Sequence, residues 1–65
     1  MTFEHAMSLM RIGFFMRQAS WPEGLSITMD LENKQFVSQD GVRWIPDTVN
    51  AFADNWELTN RRRGQ

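Results

Sequence analysis

Arg17 and Trp21 are the residues whose types and spacing best suit chemistry on a ligand. A guanidinium pairs with phosphate in a planar fork, and an indole stacks on a nucleobase. Trp21 lies between Ser20 and Pro22, in a predicted loop four residues beyond Arg17. If Phe14 and Met16 point into a helix-covered face, Arg17 points away from it. A Trp and an Arg at the mouth of a fold suit a nucleotide. The same pair also suits a plainer role, with Trp21 plugging a small core and Arg17 paired to a surface acid. Trp44 and Trp56 read first as core or subunit-interface packing.

Other chemistries find little support. The chain has no cysteine, so thiolate nucleophiles, disulfides and thiolate metal sites are excluded. Its one histidine, His5, must serve four scattered serines and sits in the first turn of a predicted helix. Neither a nucleophile–base pair nor a metal site assembles from that set. The four glycines are isolated, without the clustering of a phosphate-cradling loop. No enzyme activity, metal or cofactor is expected.

These residues need elements to position them. Thr2 can cap a helix over residues 3–11, whose Phe3, Ala6, Met7 and Met10 share one face. Gly13 suits a left-handed helix end. Residues 14–18 read as a first strand and 20–24 as a loop. Residues 25–31 alternate apolar and polar at each step, the signature of a half-buried strand. Residues 36–38 and 42–45 read as a hairpin, with Asp40-Gly41 as a two-residue type I′ turn. Pro46 ends that strand, and Asp47 or Thr48 caps a short helix to about residue 53. Residues 56–58 give a last strand. The expected fold class is α+β: a small antiparallel sheet, an N-terminal helix packed on one face, and a short second helix. Residues 1–60 form one ligand-binding domain, and 61–65 a basic disordered tail.

A chain of 65 residues has little core to spend. Below roughly 70–80 residues a single core seldom supplies more than about 3–5 kcal/mol. Without disulfides or metal, self-association is the remaining remedy, and three Trp, five Phe and five Met supply the apolar surface. Residues 1–60 hold four basic side chains against eight acids, while Arg61, Arg62 and Arg63 follow at the end. An acidic body does not suit a broad nucleic-acid surface. Apolar runs are too short to span a membrane, and the first residues lack signal-peptide character. A cytoplasmic location is expected.

Two clusters carry a resemblance. The first is Phe3-x-x-Ala6, then Gly13, then Arg17-x-x-x-Trp21. The second is Trp44-x-Pro46 followed by the run from Asn50 to Trp56. In order and spacing the chain resembles the small phage proteins that act as Thoeris anti-defence sponges. Ser20 replaces that family's glycine before the Trp, Asn50 and Asn55 replace aspartates, and the central region is shorter. The resemblance implies a homo-oligomer, dimer or tetramer, in the host cell cytosol. It implies a protein that holds a cyclic ADP-ribose isomer or cyclic dinucleotide without degrading it. By position, Arg17 would meet phosphate and Trp21 a base, with Trp44, Thr48 and Asn50 lining the pocket. The rival expectation is a phage-type inhibitor that caps a host protein through its aromatic surface, with no small ligand.

Overall fold

The computed structural model describes residues 1–64 and is α+β. Helix α1, Phe3–Arg11, starts where predicted, because the Thr2 hydroxyl accepts the His5 N–H at 3.2 Å. Its buried face is Phe3, Ala6 and Met10. Gly13 ends it at φ +107°, donating its N–H to the Met10 carbonyl at 3.0 Å. A side chain there would be strained, so Gly13 permits the sharp return into the sheet.

Among the described residues five strands follow: β1 (Phe14–Gln18), β2 (Ile27–Asp30), β3 (Gln35–Ser38), β4 (Arg43–Trp44) and β5 (Trp56–Arg62). They form one sheet in the order β4-β3-β2-β1-β5, every neighbour antiparallel. Met16 faces Ile27 across one boundary of β1, and Gln18 faces Trp56 across the other. Opposed residues share a sheet face. Met16, Ile27 and Trp56 therefore meet Phe3, Ala6 and Met10 of α1 in one core. Trp56 is the largest side chain in it and is 2% exposed.

Helix α2 spans Thr48–Phe52, with Asp47 as its cap: the carboxylate accepts the Asn50 N–H at 2.9 Å. It buries none of its own residues. Its hold on the body is polar and runs through Asn50.

Three expectations are corrected. The Asp40-Gly41 turn is not type I′. Gly41 alone takes positive φ, and Ser38 pairs with Val42 around a three-residue loop. The Ser38 hydroxyl accepts both the Asp40 and Val42 N–H groups at 3.2 Å, which holds this longer loop in shape. Strands β2 and β4 are shorter than their apolar runs, because Leu25, Leu31, Val42 and Ile45 fall outside the ladder. The last strand does not stop near residue 58, nor does a loose tail start at residue 61. Strand β5 continues through Arg62, which opposes Phe14, and the Arg63 N–H donates to the Gly13 carbonyl at 2.6 Å. Arg61 and Arg62 clasp this segment, their guanidiniums 5.1 Å from the Phe15 ring and 4.8 Å from the Phe14 ring. Residue 65 of the expected tail lies outside the described residues.

Candidate functional site

Arg17 opposes Glu57 across the β1–β5 boundary, one position out of step with the Gln18–Trp56 pair. That register puts Arg17 on the sheet face away from α1, as the alternation predicts. Trp21 takes the other direction. Its N–H donates to the Gln18 carbonyl at 3.0 Å, turning the chain at the end of β1. The indole packs against the core from the helix side. It meets Trp44 and Trp56 edge-on, at ring separations of 5.7 and 5.3 Å. Such tilted pairs are the favoured aromatic geometry.

Arg17 and Trp21 are nonetheless joined, through the backbone. The Arg17 guanidinium donates from Nη2 to the Trp21 carbonyl at 2.6 Å, and Nη1 lies 3.6 Å from Glu57. Its Nε is buried and has no acceptor among the described residues. Arg17 thus fixes the loop that aims the indole and keeps one donor unspent. Its surroundings form a groove of about 420 Å³ that also takes in Ser26, Glu57, Thr59 and Arg61. Two arginines and the acids Glu23 and Glu57 share that groove. A bound anion would compete with Glu57 for Arg17.

The second motif supplies Trp44, Thr48 and Asn50. Trp44 closes a triangle with Trp21 and Trp56, 6.1 Å from the latter, and meets Phe36 edge-on at 5.8 Å. Asn50 is a junction. Its Oδ1 accepts from Gln18 Nε2 at 2.7 Å, and its Nδ2 donates to Asp47 at 2.8 Å. Its carbonyl accepts from Trp56 Nε1 at 3.2 Å. Thr48 stands exposed at the first position of α2. Trp21, Trp44 and Asn50 therefore gather around Trp56, Arg17 reaches them only through a carbonyl, and Thr48 lies outside the cluster.

No protein-family model matches this chain, and no curated protein is similar enough to count as a relative. The site must be read from its own residues. Gln18, Trp56, Glu57 and Arg61 belong to it, although sequence reasoning left them out of the pocket. Gln18 carried a signal: two residues beyond Met16, it is a polar residue on the core-facing side of β1. A buried amide of that kind needs a partner, and Asn50 is that partner. His5 is exposed in the first turn of α1. Among the described residues, no three His, Asp or Glu side chains cluster closely enough to hold a metal ion.

Proposed function

We propose that this protein sequesters a cyclic nucleotide signal, such as a cyclic ADP-ribose isomer or a cyclic dinucleotide, without altering it. It would work as a homo-oligomer in the host cytosol, lowering the free signal that activates an anti-phage defence. The observation that carries this reading is Arg17, whose buried Nε has no acceptor among the described residues and which lines a groove together with Arg61. An unsatisfied buried donor costs about 1–3 kcal/mol, and a phosphate oxygen would recover that cost. Beside it, Arg17 holds the loop of a half-exposed indole. The order and spacing of the two sequence motifs support the same class of ligand. A sponge acts by mass action, so a dissociation constant of about 1 nM to 1 μM, roughly −12 to −8 kcal/mol, serves the purpose.

Thermal shift against cyclic ADP-ribose isomers and cyclic dinucleotides tests this. A ligand at 100 times its dissociation constant adds about 2.7 kcal/mol, a large shift for so small a domain. The ligand should come off intact on heat denaturation. A panel without any shift would overturn the proposal, and recovery of a cleaved product would overturn its non-catalytic part.

A second reading rests on a different observation. Ile45, Val49 and Phe52 are 69%, 75% and 84% exposed and lie close together along the chain at α2. Such a strip suits an inhibitor that caps a host protein. Absorbance separates the two: retained nucleotide raises the 260/280 ratio of the purified protein, and a protein-binding inhibitor shows none.

A further inference from the structure

A second recess lies where the end of α1 meets the β2–β3 hairpin. Its apolar lining is Met29, Leu31 and Phe36; its rim is Arg11, Lys34 and Gln35. Met29 and Phe36 are cross-strand partners, so the floor is set by register. Phe36 is half-buried, held by the Phe3 and Trp44 rings, each 5.8 Å away, so the floor is rigid and aromatic. Arg11 leaves the last turn of α1, and Lys34 leaves the hairpin loop at φ +55°. Among the described residues neither cation forms an ion pair. The nearest acids do not line the recess. Asp30 bonds Asn33, and with Glu32 it borders an adjoining hollow, on the other side of Met29 and Leu31, beside Val37 and Arg63. The opposing charge is the negative end of the α1 dipole, which Arg11 already offsets.

Two free cations and an amide over an aromatic floor define a ligand chemistry. We infer that this recess binds a small anion carrying one flat ring, the ring lying on Phe36 and Met29 and the anionic group between Arg11 and Lys34. Its volume, about 260 Å³, falls below the usual 300–1,000 Å³ of ligand pockets. It fits one ring and one anionic group, and a dinucleotide would overfill it. The Arg17 groove is lined by none of these residues, so the two sites stand or fall separately.

The test is a titration of the ¹⁵N-labelled full chain at low salt, following amide shifts. Adenosine monophosphate and benzoate each carry a ring and an anion; adenosine and inorganic phosphate carry one feature each. The first two should move the amides of Arg11, Lys34, Gln35 and Phe36, and the last two should bind roughly tenfold or more weakly. Arg11→Gln with Lys34→Gln, both at exposed positions, should keep the spectrum of the folded protein and weaken benzoate about tenfold. Arg17→Ala should leave benzoate binding unchanged. The inference is overturned if neither ringed anion moves these amides, if adenosine binds as well as its monophosphate, or if the double variant binds benzoate like the parent. Shifts confined to Arg17 and Arg61 would also overturn it, while leaving the proposed nucleotide groove intact.

Discussion

Asn50 donates and accepts at once, and no isosteric residue does both. Its Nδ2 gives a hydrogen to Asp47 while its Oδ1 takes one from buried Gln18. An aspartate would face the Asp47 carboxylate and lose the donor. Asn50→Asp should therefore cost about 1–3 kcal/mol, read from the urea midpoint at neutral pH. A variant as stable as the parent would show that this junction does not hold α2. Trp21 and Arg17 carry structural duties as well as candidate binding ones. Trp21→Ala opens a triangle of indoles at its half-exposed corner. It should cost about 2–3 kcal/mol, below the 3–5 of a fully buried Trp. Arg17→Ala loses the Trp21 carbonyl bond, about 1.5 kcal/mol, and a half-exposed ion pair worth less than about 1. Nucleotide affinity in either variant has to be measured at a temperature where a folded amide spectrum persists. If both fold and both bind like the parent, the Arg17 groove is not the site.

At the scale of elements, spacing along the sequence showed what lies close along the chain. The cap at Thr2, the apolar face of α1 and the Asp47 cap are local patterns, and each sits where predicted. The alternation of β2 put Ile27 in the core but left Thr28 in water, whereas Thr28 is buried as well, its hydroxyl donating to the Phe14 carbonyl at 2.9 Å. The Arg17–Trp21 link spans four residues and was within reach of such reading. That the two side chains leave on opposite sides of the sheet was not, since it depends on the turn at Gln18. Gln18 and Asn50 are 32 residues apart, and only the fold joins them. Strand β5 was misread for a similar reason: its end is held by backbone pairing and by arginines lying on Phe14 and Phe15. Replacing Arg61 and Arg62 with Ser should lower stability by about 1–2 kcal/mol at roughly 0.5–1 per exposed cation–π pair. It should also speed amide exchange at Phe14 and Met16. Parent-like exchange would restore the loose tail. The β2–β3 loop gives a pH signature. Asn33 side-chain and backbone bonds hold the Asp30 carboxyl below its ordinary value of 3.8. The carboxylate form therefore stabilises the fold above that value, and the contribution is lost as pH falls through the lowered one. Thermal midpoints of Asp30→Asn should fall less steeply than the parent's across that window, and identical slopes would refute the linkage.

For the whole molecule, the radius of gyration is 10.6 Å, close to the ~10.7 Å expected of a compact chain this long. Compactness does not enlarge the core. Among the described residues, seven buried hydrophobic side chains, led by Trp56, Met10, Met16 and Ile27, form the whole of that core. Val49 and Phe52, three apart on α2, point away from that core together with Ile45. Phe52 forms one wall of a hollow whose other borders are Thr2, Phe3, Ala51 and Ala53, with Glu4 and Asp54 at its edge. A knob next to a hollow is what a two-fold contact between identical surfaces requires. A second copy would bury side chains that the single chain leaves in water. Light scattering at micromolar concentration should thus give a mass above the 7.7 kDa of one chain. Val49→Glu with Phe52→Glu should return it to 7.7 kDa. The fold of one chain should survive, because α2 is held through Asn50 and buries none of its own residues. The oligomer should also unfold at a concentration-dependent midpoint, and the double variant should not. A parent that is monomeric with one cooperative transition would end the argument for assembly. A double variant that still assembles would move the contact to another face.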